Sequence, residues 1–149
     1  MFRDVYRFAA GRGLHLTAHA GETAGPESVW AALELGAERI GHGIRSIDDP
    51  VLVRHLRDRD IPLEISISSN VATGAVTSLA GHPVRRLFDA GVPIVLNTDD
   101  PAMFHTTLTR EYELASSLFG FSEPELRGIA ENGFRYAFRE GAIDLSRRK

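Results

Sequence analysis

The sequence predicts an α/β protein with a parallel sheet, and three features of the pattern support this fold class. Strand-like apolar runs alternate with segments of helical spacing four times along the 149 residues, as in sheets built from strand-then-helix units. Residues 92–97 form a continuous apolar run, which is typical of a parallel strand buried on both faces. Glycine follows several helical segments, for example at Gly36 and Gly91, where helices commonly end. Because a complete eight-stranded barrel takes roughly 250 residues, four units predict either a small open sheet or half a barrel.

Each strand is predicted from a short apolar or alternating segment that is bounded by turn-forming residues. The segment at residues 62–68 is apolar on alternate positions and rich in isoleucine. A cluster of Gly, Ser and Thr at residues 69–78 then predicts a loop. The predicted strands lie at residues 14–19, 39–41, 62–68 and 92–97.

The helices are predicted from apolar residues spaced three and four apart, together with start and stop signals. Asp48 and Asp49 precede Pro50 at one predicted start, and Ser122 with Glu125 forms a capping box at another. The pattern shows no internal repeat, low-complexity tract or linker, so residues 1–149 are expected to form one domain. The predicted helices lie at residues 2–10, 27–35, 51–59, 83–90, 108–118 and 126–140.

Composition and charge narrow the classes of function. The formal net charge is -3, so no basic surface is predicted that would attract nucleic acid or anionic lipid. The absence of cysteine excludes a disulfide framework, a zinc finger and thiol catalysis, so any metal must bind through His, Asp or Glu. The N-terminal segment lacks the apolar run of a signal peptide, and no stretch reaches the length of a membrane span. A cytoplasmic protein is therefore expected.

Polar side chains capable of acid–base or metal chemistry follow each of the four predicted strands. In barrels and in open α/β sheets, active sites lie at the carboxyl edge of the strands. We therefore expect these residues to converge on one edge of the sheet. They are His19 and Glu22 after the first strand, His42 after the second, residues 66–70 after the third, and Asp99 with Asp100 after the fourth.

Taken one at a time, these residues also have structural explanations. Glu22 suits the first turn of a helix, where the macrodipole favours a carboxylate, and His42 between two glycines suits a turn. Asp99 and Asp100 before a proline could cap a helix. However, two adjacent carboxylates after a buried strand repel each other unless a cation or a proton is shared. This pair therefore indicates a metal ligand beside a proton acceptor or a substrate contact.

The remaining histidines are interpreted as structural. His55 lies within a predicted helix, and His82 precedes a proline at a loop-to-helix junction. His15 shares a strand face with His19, but four strand steps separate the two by about 13 Å, too far to share one ion. His105 follows the fourth strand closely enough to lie at the rim of the same edge.

Three short motifs resemble those of the adenosine deaminase family. Residues 19–22 read His-Ala-Gly-Glu and are similar to its HAGE signature, while residues 38–43 read Glu-Arg-Ile-Gly-His-Gly and are similar to its RIGHG element. Residues 97–101 read Asn-Thr-Asp-Asp-Pro and are similar to its TDDP element. The order and spacing also agree, over nearly the whole chain. The resemblance implies strands five to eight, the C-terminal half, of a (β/α)8 TIM barrel of the metal-dependent hydrolase type.

The resemblance also implies roles for individual residues. His19 and Asp99 would be ligands of Zn2+, and Glu22 would donate a proton to the purine ring nitrogen beside the attacked carbon. His42 would position and deprotonate the zinc-bound water, whose pKa the metal lowers toward 7. Asp100 would hydrogen-bond this nucleophile or the purine. The implied substrate contacts are Gly21, Ser69 and Asp100.

The chain departs from the family pattern in two places. The family's third motif usually reads Cys-Pro-x-Ser-Asn, whereas residues 66–70 read Ser-Ile-Ser-Ser-Asn and keep only the last pair. The family also takes two further zinc ligands from a His-x-His pair, and no His-x-His occurs in these 149 residues. A catalytic zinc site normally has three protein ligands and a water, and the resemblance supplies two here.

The expected activity is zinc-dependent hydrolytic deamination of adenosine or a related adenine compound, giving the 6-oxo purine and ammonia. Relatives that act on adenine or aminodeoxyfutalosine share these motifs and are alternatives, as are another amidohydrolase-type enzyme and a non-catalytic purine-binding or assembly remnant. Since two zinc ligands are too few, the chain alone is expected to be inactive. The expected partners are a small-molecule purine and either a second copy of the chain or the missing N-terminal half, with neither nucleic acid nor membrane.

Overall fold

The computed structural model describes residues 2–138, which form a sheet of four parallel strands. The strands lie side by side in the order of the sequence, and at least one helix connects each strand to the next, as parallel pairing requires. The predicted parallel α/β sheet is thus confirmed. The strands are β1 (Thr17–Ala20), β2 (Arg39–His42), β3 (Leu63–Ile65) and β4 (Ile94–Leu96).

Seven α-helices occur in the described part of the chain, and several begin where the sequence predicts. Asp49 accepts hydrogen bonds from the backbone N–H of Val51 and Leu52, and the capping box of Ser122 and Glu125 is formed. The last predicted helix, at residues 126–140, is wrong at residues 136–138, which form a turn and a bend, and its residues 139–140 lie outside the described residues. No helix within residues 2–138 is both long enough and apolar enough to cross a membrane. The helices are α1 (Phe2–Ala10), α2 (Pro26–Glu34), α3 (Pro50–Asp58), α4 (Ile67–Ala72), α5 (Val84–Asp89), α6 (Leu108–Phe119) and α7 (Glu123–Arg135).

Helix α4 corrects the prediction of a loop at residues 69–78. Its serines and asparagine favour turns in isolation, because their side chains compete for backbone hydrogen bonds. Here Ile67, Ser69 and Asn70 are buried, so tertiary packing outweighs that preference. The backbone N–H of Ser68, in the first turn, donates to the carboxylate of Glu111 on α6 at 3.2 Å. Because a helix leaves its first N–H groups without an internal partner, this distant carboxylate stabilises the start of α4.

The sheet has one face packed against helices, which we call the covered face. The helices α2, α3, α5, α6 and α7 contribute apolar side chains to the same core. Full burial of one aliphatic side chain stabilises a fold by roughly 1.5–3 kcal/mol, so this face holds the strands and helices together. Its buried strand residues are Ile40, Leu63, Ile65, Ile94 and Leu96, each 5% exposed or less.

The opposite face, which we call the open face, carries the row His19, Gly41, Glu64 and Val95. Strand register pairs these residues one after another across the sheet, so their side chains point the same way. His19 is exposed, whereas Glu64 and Val95 are half-buried. The prediction that residues 92–97 are buried on both faces is therefore wrong for Val95, because the helices of the core pack against the other side of the strand.

Candidate active site

Four of the predicted site residues meet at the carboxyl edge of the sheet. The Nε2 atom of His42 lies 3.6 Å from Glu22 Oε2 and 4.0 Å from Asp99 Oδ2. The rings of His19 and His42 are 4.9 Å apart between centroids and nearly perpendicular. These residues come from the ends of β1, β2 and β4, so the expected convergence on one edge is observed. Two imidazoles and two carboxylates thus surround a space a few ångströms across.

The position of His19 depends on the absence of a side chain at its neighbour in β2. Its ring lies over Gly41, and a Cβ atom at position 41 would come within 2.5 Å of His19 Cδ2. Real Cβ atoms do not approach other atoms so closely, so any larger residue would push the ring aside. Gly41 in the RIGHG element therefore leaves the room in which the imidazole of His19 lies.

Two site residues have an unusual backbone conformation. His42 and Asp99 have φ angles of 63° and 57°, in the left-handed region that residues with a Cβ atom seldom adopt. Such a conformation costs on the order of 1–3 kcal/mol at each position and persists only where the surroundings enforce it. Two of the strand ends that carry the chemical groups have this conformation, although Asp60, in the turn before β3, shares it.

The electrostatics of His42 reflect its burial next to carboxylates. The side chain is 3% exposed, and burial lowers the pKa of His42, while the nearby Glu22 carboxylate opposes that shift. The neutral imidazole is therefore favoured more than it would be in water. A neutral ring has one nitrogen that donates a hydrogen bond and one that accepts, so the identity of each His42 nitrogen matters for its chemistry.

Glu22 is oriented by two polar side chains, one within α4 and one directly after that helix. Its Oε1 accepts a hydrogen bond from Asn70 Nδ2 at 3.3 Å and another from Thr73 Oγ1 at 3.2 Å. The Oε2 atom faces His42 at the longer distance of 3.6 Å. With both donors on Oε1, Oε2 is the oxygen that can carry a proton toward a bound molecule.

Ser69 and Gly21, which were expected to contact substrate, make other contacts in the structure. Ser69 is fully buried, and its hydroxyl donates to Asp99 Oδ2 at 2.7 Å, so it orients a carboxylate. Gly21 is buried, its N–H donates to Ser28 Oγ at 2.8 Å, and its carbonyl accepts from the N–H of Arg45. Since the donor of Gly21 is already occupied, that residue shapes the turn after β1 and offers no free N–H to a substrate.

Asp100 lies beside the group of four rather than within it. It is exposed, and its Oδ1 accepts a hydrogen bond from the backbone N–H of Met103 at 3.0 Å, as in a turn cap. The residues that follow form a turn, and α6 begins only at Leu108, so Asp100 caps a turn and not the helix that the structural explanation required. A substrate contact through its other oxygen stays a prediction.

Two buried residues complete the network: Asn70, predicted from the sequence to lie at this edge without an assigned role, and His82, interpreted from the sequence as structural. Asn70 Nδ2 lies 3.0 Å from His42 Nδ1, and Asn70 Oδ1 lies 3.2 Å from His82 Nε2. Asn70 belongs to the third motif, and its match to the family's Ser-Asn pair was the sequence feature that pointed to it. His82 was interpreted as structural because a histidine before a proline carries no catalytic pattern, and its contact with the network joins residues far apart in the sequence.

The donors available to a metal ion are limited in number. His19 and Asp99 supply a nitrogen and a carboxylate oxygen, which are both suitable ligands for zinc. Glu64 lies below them on the open face but pairs with Arg39, whose Nε is 3.5 Å from Glu64 Oε1. Within residues 2–138, no three side chains of His, Asp or Glu are grouped so that they could hold a metal ion.

Comparison with known sequences identifies a family. A family model described as adenosine deaminase matches residues 1–144. The chain is 49% identical over 138 residues to the aminodeoxyfutalosine deaminase of Streptomyces coelicolor, covering 92% of this chain and 36% of that protein. It is 45% identical over 139 residues to the adenosine deaminase of Klebsiella pneumoniae, covering 93% of this chain and 42% of that protein.

Comparison with solved structures leads to the same family as comparison with sequences. The adenine deaminase of Arthrobacter aurescens matches with a TM-score of 0.91 and 37% identity, over 95% of this chain and 43% of that one. A zinc-bound amidohydrolase of Burkholderia ambifaria matches with a TM-score of 0.87 and 30% identity, over 93% and 40%. The chain thus spans about two fifths of the length of these relatives. These matches confirm the predicted fold class, part of a TIM barrel, and the chain belongs to the adenosine deaminase family.

Proposed function

We propose that this chain supplies the proton-transfer groups of a hydrolytic deaminase, which converts the 6-amino group of adenosine or a related adenine compound into a 6-oxo group and ammonia. The observation that carries the proposal is that Glu22 and Asp99 both lie within 4.0 Å of His42 Nε2, in a chain of the adenosine deaminase family. Paired carboxylates beside an imidazole suit a reaction that needs both proton donation and orientation of water.

The reaction balances with water as the only co-reactant. The oxygen of water forms a bond to C6 of the purine, and Glu22 donates a proton to the adjacent ring nitrogen. The bond from C6 to the amino nitrogen then breaks, and the amine takes up a proton from the attacking water and leaves as ammonia. The second proton of that water restores Glu22. Its Oε2, which lacks the donors that occupy Oε1, is the atom we assign to this transfer.

His42 is the group that faces the reacting space most directly. Its Nε2 points toward the oxygens of both Glu22 and Asp99, so it can hydrogen-bond an oxygen nucleophile held between them. Burial excludes bulk water from the ring and strengthens such a bond, because screening is weaker in the interior. Orientation of the nucleophile is therefore the role we assign to His42.

Zinc is the cofactor that the donor set favours. His19 and Asp99 would hold the ion, and Ser69 orients the carboxylate of Asp99 in the way that second-layer partners orient zinc ligands. Zinc would supply Lewis acidity, which makes water a better nucleophile near neutral pH. The donors fit zinc in kind but fall short of three in number, so further ligands must come from outside residues 2–138.

We further propose that the 149-residue chain is inactive alone and gains activity when a second polypeptide completes the sheet. Strands β1 and β4 are at the two sides of the sheet, and unpaired strand edges invite pairing with another chain. Phe2, Phe8 and Phe134 are among the large apolar side chains that are about half exposed or more. A polypeptide with the family's His-x-His strand would add the missing zinc donors. A second copy of this chain would cover the strand edges and the exposed apolar side chains but would add no His-x-His pair.

The shortage of donors also favours a second candidate, a purine-binding or assembly module without catalysis. In that case the pocket groups would be kept while zinc binds too weakly for turnover. The two candidates differ in zinc content and in turnover after completion of the barrel.

Ammonia release would test the proposal. Adenosine, adenine and aminodeoxyfutalosine would each be incubated, with zinc, with the chain alone and with the chain mixed with an N-terminal half from a family member. We expect turnover of one of these compounds only in the mixture, together with bound zinc. Robust zinc-dependent turnover by a monomer of the isolated chain would refute the proposed incompleteness. Zinc binding without turnover of any adenine compound in the mixture would refute the deaminase. Little bound zinc together with no turnover would favour the non-catalytic module.

A further inference from the structure

The strongest further observation is a chain of buried hydrogen bonds that ends at His42. It begins at His82 in the loop before α5, passes through the side-chain amide of Asn70 on α4, and reaches the ring of His42 after β2. All three side chains are 4% exposed or less. Water therefore has little access to this network, and each polar atom must find its partner within the protein.

The hydrogen positions in this hydrogen-bond network are determined at its His82 end. The backbone N–H of Val84 donates to His82 Nδ1 at 3.1 Å, so that nitrogen must carry a lone pair. Burial lowers the pKa of His82 to about 4, so the ring is neutral near neutral pH. A neutral imidazole has one donor and one acceptor nitrogen, hence Nε2 of His82 carries the proton.

The donor at His82 Nε2 then fixes the amide of Asn70. That nitrogen lies 3.2 Å from Asn70 Oδ1, which can only accept. If the amide were reversed, its NH2 group would face a nitrogen that already carries a proton, and its oxygen would face Glu22 Oε1. The NH2 group of Asn70 is therefore held toward the site, where its two hydrogens meet two acceptors, Glu22 Oε1 at 3.3 Å and His42 Nδ1 at 3.0 Å.

We propose that His82 is a positioning residue, which acts through Asn70 to hold neutral His42 in the tautomer protonated at Nε2. Since His42 Nδ1 accepts from Asn70, the ring hydrogen must be on Nε2, the atom that faces Glu22 and Asp99. His42 thus presents a hydrogen-bond donor, not a lone pair, to the reacting space. This replaces the expectation that neutral His42 removes a proton from water with a role in which it donates to the oxygen nucleophile. The inference builds on the proposed function, because that function gives His42 its place beside the nucleophile.

Nuclear magnetic resonance of the ring nitrogens would test the tautomer directly in the full 149-residue chain, without metal or substrate. In 15N-labelled protein at a pH where the rings are neutral, we expect an unprotonated Nδ1 and a protonated Nε2 in both His82 and His42. We also expect a scalar coupling across the hydrogen bond from Asn70 Nδ2 to His42 Nδ1. A proton on Nδ1 of His42 would overturn the proposal.

Two substitutions at position 82 separate the donor from the rest of the side chain. In His82→Asn, the shorter side chain can still accept a hydrogen bond from the Val84 N–H but does not reach Asn70. In His82→Gln, the side-chain amide reaches far enough to donate to Asn70 Oδ1. We expect His82→Asn to lose the coupling and to shift the His42 nitrogens toward a mixture of tautomers, and His82→Gln to keep the wild-type pattern. An unchanged His42 pattern in a folded His82→Asn protein would overturn the proposal.

The measurements remain decisive if a variant does not fold. Should His82→Asn lose its amide dispersion, the wild-type pattern and the coupling from Asn70 still confirm or exclude the tautomer, and His82→Gln tests whether the donor is sufficient to keep it. The readout is also independent of turnover. A chain that shows the expected tautomer but never deaminates would refute the proposed function alone, and an active barrel with Nδ1-protonated His42 would refute this inference alone.

Discussion

On the covered face, Leu63 and Ile94 are 0% and 1% exposed, whereas one residue further along the same strands, on the open face, Glu64 and Val95 are only half-buried. The covered face is held by apolar contacts with five helices. The open face is held by individual polar contacts, such as the pair between Arg39 and Glu64. Apolar burial is thus concentrated on the covered face, whereas the polar groups lie at the carboxyl edge and, for His19 and Glu64, on the open face.

The two faces are therefore expected to respond to substitution in different ways. A change on the covered face removes dispersion contacts and leaves a cavity, so it acts on the free energy of unfolding. A change at the carboxyl edge or on the open face alters which hydrogen bonds and charges are available, so it acts first on binding and catalysis. The following substitutions test that division.

The largest effect is expected for Glu22→Gln in an assembled barrel. Loss of the proton donor should lower kcat by about 100- to 10,000-fold, while KM and bound zinc change little. Glu34→Gln, which removes one exposed charge at the end of α2, is the matched control and should leave the rate unchanged. Steady-state ammonia release would measure both, and a near-parental rate for Glu22→Gln would mean that Glu22 is not the donor.

The next largest effect is expected for Leu63→Ala on the covered face. It should reduce the free energy of unfolding by about 2–5 kcal/mol, because the side chain is fully buried among the core helices. The matched change on the open face, Val95→Ala, should cost less than about 1 kcal/mol since it deletes less buried surface. Urea unfolding of the isolated chain would compare them, and equal losses would contradict the distinction between the two faces.

Ser69→Ala tests the carboxyl edge without removing a charge. Loss of the hydroxyl that donates to Asp99 should weaken zinc binding by the assembled protein by about 10- to 100-fold, with little change in stability. Ser46→Ala is a close control, because the Ser46 hydroxyl is also buried but has no hydrogen-bond partner among the described residues. Competition with a chelator would measure both affinities; unchanged affinity in Ser69→Ala would show that Asp99 needs no such support.

The smallest effect is expected for pH-dependent stability in the helical layer. Hydrogen bonds from Arg85 and from Ser122 lower the pKa of Glu125 to about 2, below its unfolded value of about 4.3. The resulting stabilisation is present above the unfolded pKa and is lost as pH falls through the folded pKa. Between about pH 5 and pH 2, Tm of the wild type should therefore fall slightly more than Tm of Glu125→Gln.

Glu123→Gln, in the first turn of the same helix, serves as the reference for the change of charge. It removes a carboxylate that bonds Arg127 but leaves the bonds of Arg85 and Ser122 in place. Thermal scans at several pH values would follow all three proteins. Identical pH profiles for Glu125→Gln and the wild type would argue against the contribution of this ion pair.

Local patterns in the sequence predicted most of the sheet and its helices. The four strands and the residues at their carboxyl ends follow from periodicity and from the general position of active sites in parallel sheets. The caps at Asp49 and Ser122 follow from local side-chain chemistry. Three strands are shorter than predicted, because the residues that actually pair depend on the neighbouring strand, which leaves only Ile94–Leu96 in β4. Strand β2 is one residue longer than predicted and ends at His42.

The parts that the sequence could not predict depend on contacts between distant residues. Helix α4 is stabilised by Glu111, and the amide of Asn70 is oriented by His82, although no local period links these positions. The hydroxyl of Ser69 likewise reaches a carboxylate 30 residues further along the chain. A motif can indicate that such a residue has a role, but only the fold shows which atom it contacts.

The left-handed backbone at His42 and Asp99 has a consequence for attempts to make this protein more robust. Glycine or asparagine adopts that conformation at lower cost, so a redesign guided by folding free energy alone would favour replacing both residues. Such a variant could melt at a higher temperature and yet lack an imidazole and a carboxylate of the site. Under the proposed function, selection for turnover and selection for thermal resistance would therefore act in opposite directions at these two positions, as is common where activity depends on a strained conformation.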